Sequence, residues 1–217
     1  MTDRSLERQS IIDAAYRCLD RNSGTSASIN EILDEAGLGT RAFYRNFSTK
    51  HEVLLEMFRR DREAVLADLR EIVAHAANPI DALRQWMTYM FALTSDPRKR
   101  KRVATFYSEE MRRTPGYTRE MELFVTAEQA ALAAILHQGR ATGIFTACSP
   151  ESDARSVRGA LEAAWEDRFT QKSTTEPAEA AEQLLGFILR GVGAVDPAKE
   201  QPAHTTTREG EAVARSL

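Results

Sequence analysis

Between Gly39 and Pro79 the chain contains neither glycine nor proline. Thr49 and Glu52 have the spacing of a capping box, and Val53, Leu54, Met57 and Phe58 give the apolar face that follows it. The spacing predicts a helix over about 50–75, roughly 40 Å long at 1.5 Å per residue. An element of that length can connect two domains. Strand signals are nearly absent elsewhere, so the chain reads as all-α.

The remaining punctuation agrees. Ile12, Ala15, Tyr16 and Leu19 predict a first helix over Leu6 to Leu19. "SINEILDEAG" predicts a second, opened by a Ser28/Glu31 capping box and closed by Gly37. Thr40 can cap a third, which runs to about Phe47. Beyond the long fourth helix, further helices are expected at about 79–95, 97–113, 117–141, 150–172 and 176–191. Pro79, Pro97, Pro150 and Pro177 fall in their first turns, and Asp96 and Ser149 are candidate caps. The segment after about 192 has little apolar content and reads as a disordered tail.

Bulk properties exclude several classes. The chain has 217 residues and a formal net charge of -3, which suits one or two compact domains. No apolar run is long enough to span a bilayer, and the first ten residues lack the apolar stretch of a signal peptide. Cys18 and Cys148 read as two reduced thiols, and the expected location is cytoplasmic. The four histidines show no metal-ligand spacing, and no nucleophile or nucleotide motif is present. Neither a cofactor, a metal nor a catalytic activity is expected.

Local charge is more informative. From Ala36 to His51 there is no acid, while Arg41, Arg45 and Lys50 are basic. Within this stretch, "GLGTRAFYRNF" fits the glycine pattern of dinucleotide-binding folds. That pattern needs a strand before its first glycine. "INEILDEA" is helical in period, so the cofactor reading fails on context. Helix, tight turn and short helix is instead a helix-turn-helix. A plain helical hairpin has the same outline. Phe43 and Phe47 can anchor the third helix, which leaves Thr40, Arg41, Ala42, Tyr44, Arg45 and Asn46 expected at the surface. Those groups suit phosphate oxygens and base edges.

"TSASINEILDEAGLGTRAFYRNFSTKHEVLLEMF" resembles the DNA-binding domain of TetR-family (tetracycline repressor-type) transcriptional regulators. The likeness lies in the Ile/Ile-Leu/Ala helix, the "AGLG" turn, the "FYRNF" core and "STK" followed by Glu and Val-Leu-Leu. It implies a helix-turn-helix domain at 1–49 and a helical ligand-binding and dimerisation domain at 50–192, which leaves the low-apolar tail at 193–217. It also implies roles. Ser28, Tyr44 and Lys50 would meet phosphate, Thr40 and Arg41 would meet bases, and Ala42 would allow close approach. Asn46 would meet one or the other, and Arg45 stands where the family often has an aromatic residue. The partners implied are double-stranded operator DNA, a second copy of the chain and a largely apolar small-molecule effector.

The resemblance places an effector pocket among Trp86, Tyr89, Met90, Phe91, Tyr107, Met111, Phe124 and His137. Trp86, Tyr89, Met90 and Leu93 repeat at i, i+3, i+4, i+7, which equally describes a helix filling a core. Val157, Leu161, Trp165 and Phe169, with Ala181, Leu184, Leu185 and Ile188, give two amphipathic helices. In the family such helices pair across a dimer, but the pattern alone also allows packing within one subunit. The run "DPRKRKR" at 96–102 is either a solvated helix start or an anion site, for a CoA-type phosphate or the DNA backbone. The function expected is a ligand-released repressor acting as a homodimer, with a helical protein-interaction module as the alternative.

Overall fold

The computed structural model describes residues 3–21, 27–170 and 172–195. The expected tail falls almost wholly outside them. Ten helices are described: α1 (Asp3–Arg21), α2 (Ile29–Ala36), α3 (Thr40–Asn46), α4 (Lys50–His75), α5 (Pro79–Ala92), α6 (Pro97–Phe106), α7 (Glu109–Arg112), α8 (Tyr117–Ala141), α9 (Pro150–Phe169) and α10 (Pro177–Gly191). Among the described residues there is no strand, only one isolated bridge between Phe145 and Ala194. Among the described residues no helix is long and apolar enough to cross a membrane.

Local chemistry explains most boundaries. At α2, the Glu31 N–H donates to the Ser28 hydroxyl at 3.3 Å and the Ser28 N–H donates to the Glu31 carboxylate at 2.7 Å. Gly37 ends the helix at φ 66°, a left-handed conformation that glycine adopts without steric cost. Leu38 N–H then closes on the Leu33 carbonyl at 3.1 Å. At α4, Thr49 accepts from the Glu52 N–H at 3.2 Å, while the Glu52 carboxylate reaches back one residue further, to the Ser48 N–H. Asp96 caps α6, accepting from Arg98 and Lys99 N–H at 2.9 Å.

Three expectations about ends are corrected. Gly39, not Thr40, occupies the N-cap of α3, and no side chain caps it. Ser149 does not cap α9 with its hydroxyl; its N–H donates to Asp153 at 2.7 Å instead. The single helix expected over 97–113 is broken at Tyr107 and Ser108. Ser108 accepts from the Met111 N–H at 3.3 Å and starts α7, whose first turn carries Glu109 and Glu110. A cap followed by two acids is a helix-start signal.

Two apolar cores result. One joins Ile11, Ile12 and Ala15 of α1, Ile32 and Leu33 of α2, Phe43, Phe47, and Val53, Leu54, Met57 and Phe58 of α4. It also takes in Phe106 of α6, Met111 of α7 and Tyr117 and Phe124 of α8. The other is centred on Leu83, Trp86, Met87, Met90, Phe91, Leu132, Ile135 and Leu136, with Leu161, Leu185 and Ile188. Leu69 of α4 belongs to it, so α4 is a wall of both. The bridge ties the α8–α9 turn to the end of α10. There Phe145 lies so close to Gly139 that a Cβ on that glycine would sit 2.0 Å from the ring.

Candidate nucleic-acid interface

α3 is held by its two phenylalanines. Phe43 is fully buried and Phe47 nearly so, with ring centroids 5.9 Å apart. On the opposite side Thr40, Arg41 and Tyr44 are exposed, Tyr44 by 61%. Neither the Arg41 guanidinium nor the Tyr44 hydroxyl has a hydrogen-bond partner among the described residues. Ser28 is exposed at the start of α2. The Glu31 carboxyl is held below its usual range by the Ser28 N–H and hydroxyl, with the Lys50 charge adding to this. Ser28 and Lys50 therefore share one neighbourhood.

Of the six α3 positions expected at the surface, four are exposed and two are not. Ala42 is buried. Asn46 is half-buried, donating to the Ala42 carbonyl at 2.9 Å and to Glu7 at 3.1 Å. Arg45 is exposed but donates to the same Glu7 carboxylate, through Nε at 3.1 Å. Those hydrogen bonds, Arg45 first, hold the Glu7 carboxyl below its usual range. Arg45 and Asn46 thus fasten α3 to α1. Lys50 has its ammonium 2.8 Å from Glu110 on α7.

Two residues that the motif did not single out join this surface. Arg4 donates to the Arg45 carbonyl at 2.8 Å, and Arg8 donates to the Asn46 carbonyl at 3.2 Å while lying 4.4 Å over the Phe47 ring. Cations at the carbonyl end of α3 offset its dipole. The available signal was the basic i, i+4 spacing of Arg4 and Arg8 at the start of the first helix.

A cavity of about 200 Å³ lies behind this domain, among α4, α5, α6, α8 and α9. Of the expected effector residues, Tyr89, Tyr107 and Phe124 line it. Trp86, Met90, Phe91 and Met111 do not, since they are packed into the cores. His137 is exposed and meets Glu151 at 2.7 Å, away from the cavity. Trp165, expected at a dimer interface, is 5% exposed and lines the cavity instead. Val157, Leu161, Ala181, Leu185 and Ile188 are likewise buried within the subunit, and Phe169 and Leu184 are half-buried. The stripe read as an interface is the stripe that closes the chain's own core. The outward faces of α9 and α10 instead present Gly159, Ala163 and Phe187, the last 61% exposed.

The basic run is partly spoken for. Lys101 donates to the Asp20 carbonyl at 2.8 Å, at the carbonyl end of α1. Arg102 reaches the Asp20 carboxylate at 3.4 Å and lies 4.5 Å over the Tyr16 ring. Tyr16 donates in turn to Asp61 on α4 at 2.7 Å. Burial of Tyr16, with the Asp61 charge beside it, pushes its hydroxyl far above the ordinary phenol value.

Residues 11–57 match the family described as bacterial regulatory proteins, tetR family. An uncharacterized HTH-type transcriptional regulator of Haemophilus influenzae is 36% identical over 76 residues, which is 35% of this chain and 35% of that one. The match therefore spans about a third of that relative's length. A TetR/AcrR-family regulator from Thermobifida fusca superposes with a TM-score of 0.68 at 20% identity, covering 85% of this chain and 97% of that one. The SmeT–triclosan complex superposes with a TM-score of 0.71 at 21% identity, covering 85% and 90%. At these identities the two structures speak to fold, and they extend the likeness past the matched segment. Residues 11–57 thus carry a helix-turn-helix segment similar to that of the tetR family of bacterial regulatory proteins.

Proposed function

We propose that the protein is a ligand-released transcriptional repressor that binds a pseudo-palindromic operator as a homodimer. The observation that carries the DNA reading is the free, acid-free face of α3, with Thr40, Arg41 and Tyr44 exposed over a fully buried Phe43. Thr40 and Arg41 stand at the helix N-terminus, the end that meets base edges when such a helix lies in a major groove. Tyr44, Ser28 and Lys50 are assigned to phosphates. Arg45 and Asn46 act by holding α3 on α1, and Ala42 by keeping the helix close to its core. The working division is a DNA-binding head over 1–49 and an effector and dimerisation body over 50–192.

The cavity is assigned to the effector and the outward faces of α9 and α10 to the second subunit. Small residues there, Gly159 and Ala163, allow close helix approach, and Phe187 supplies an anchor. An effector that prefers one spacing of the two heads shifts the population toward it, by its differential affinity for the two states.

Fluorescence anisotropy with the protein's own upstream DNA, at low and physiological salt, tests the reading. A specific complex is expected, with affinity falling steeply with salt. Arg41→Ala should lower discrimination between operator and control DNA by about 1–3 kcal/mol. A complex indifferent to Arg41→Ala and Tyr44→Phe, or none at all, would favour a helical interaction module.

A further inference from the structure

An N–H group removed from water needs an acceptor, and a carboxylate removed from water needs a donor. The cavity behind the head is lopsided in this respect. Three buried N–H groups of its lining residues meet no acceptor: Nε of Arg62, Nε of Arg102 and Nε1 of Trp165. Its lining carboxylates each have a donor, although burial still keeps the Asp61 carboxyl above its ordinary range. Asp61 accepts from the Tyr16 hydroxyl and Asp68 from the Tyr89 hydroxyl, each at 2.7 Å. Asp61 also faces the guanidinium groups of Arg60 and Arg102. No carboxylate oxygen of the lining is among the buried atoms left without a partner. Arg62 and Arg102 are each half-committed, to Glu120 at 2.5 Å and to Asp20 at 3.4 Å. Lys99 adds a third cation to the wall. What this cavity lacks is an acceptor with negative charge.

Its size and walls define the rest of the guest. A cavity of roughly 150 Å³ accommodates benzene. This one, at about 200 Å³, has room for one ring and a short polar head. Phe58, Phe106, Phe124 and Trp165 line it, and aromatic walls favour a ring set edge to face. We propose that the cavity binds a small apolar carboxylate about one ring in size. Its carboxylate engages Arg102 and the Trp165 indole N–H, and its ring lies among the phenylalanines. The inference rests on reading the cavity as the effector site, and adds the chemical class. It also gives that class a route to the DNA. The guanidinium it engages is the one stacked on Tyr16 and paired with Asp20 of α1. A carboxylate that competes for Arg102 loosens α6 from the head.

Calorimetric titration of the full-length protein, without DNA, tests the class. The probes are 3-phenylpropanoate, 3-phenylpropanol and 3-phenylpropylamine, which share a body and differ in the head. The carboxylate should bind about 10-fold or more tighter than the alcohol, and the amine most weakly. Trp165→Phe keeps a ring and removes the N–H, and Arg102→Gln removes the charge. Each should shrink the carboxylate-to-alcohol ratio. Because Arg102→Gln also loosens α1, Trp165→Phe keeps the test decisive. Amine binding equal to or tighter than carboxylate binding overturns the proposal. So does a ratio unchanged in both variants, or no binding by any probe. Failure here with intact DNA binding removes only the effector class. Selective carboxylate binding without a DNA complex removes only the regulator reading.

Discussion

Single residues of α3 divide into two kinds that a mutant series can separate. Phe43 is fully buried among α1, α2 and α4, so Phe43→Ala should cost about 3–5 kcal/mol of stability, read by chemical denaturation. Arg41 is exposed and makes no hydrogen bond or ion pair among the described residues, so Arg41→Ala should leave the unfolding midpoint near that of the parent while weakening operator recognition. Arg45→Ala should behave as neither. It releases Glu7 from α3 and should loosen the helix, with DNA affinity falling on all sequences alike. The residue pattern made Phe43, Phe47, Arg41 and Tyr44 legible, because burial and composition repeat within one turn. The bonds of Asn46 and Arg45 to Glu7 were not legible, because Glu7 lies 38 or 39 residues away, beyond any local pattern.

At the level of elements, helix starts with a local cap could be read directly, as at Ser28, Thr49 and Asp96. The α6–α7 break could not. No glycine or proline marks it, and Ser108 was absorbed into an otherwise helical run. The helix-packing partners were also beyond reach. Periodicity on α9 names a buried stripe, but a stripe is the same whether it faces α8 or a second subunit. Within that α8–α9 contact, Glu128 is 1% exposed and meets Arg158 at 3.0 Å, with its other oxygen unpartnered. Desolvation outweighs the single guanidinium and pushes its carboxyl up to about 7, from 4.5. Between those two values the folded protein keeps a proton that the unfolded chain gives up. This contribution to stability is full at low pH and is lost as pH rises through 7. Glu128→Gln should therefore gain on the parent between pH 5 and pH 8, by on the order of 2–3 kcal/mol at most. Denaturation midpoints across that range check it; a constant difference between the two proteins counts against a raised Glu128.

For the molecule as a whole, the fold class and the order of helices were legible because caps, prolines and helical period recur along the chain. The assembly was not, since most of the residues read as its interface are buried within the subunit. Phe187 is now the sharper test. Phe187→Asp puts a charge on the exposed face of α10 without touching either core, so the folded content and melting of the subunit should stay near those of the parent. Sedimentation should show a dimer-to-monomer shift at micromolar concentration, and operator affinity should fall because two heads no longer bind as one unit. A Phe187→Asp protein that sediments like its parent would move the interface elsewhere.

The long α4 helix is a wall of both cores, and the core under α3 also draws on Phe106, Met111, Tyr117 and Phe124. The head is therefore not a detachable module. A fragment ending at residue 49 would lose Val53, Leu54, Met57 and Phe58, and with them one side of its only hydrophobic shelter. Heating should melt head and body in a single calorimetric transition, with matching calorimetric and van't Hoff enthalpies for the subunit. Amide protons of α2 and α3 should then exchange no faster than those buried along α5 and α8, except near the ends of each helix.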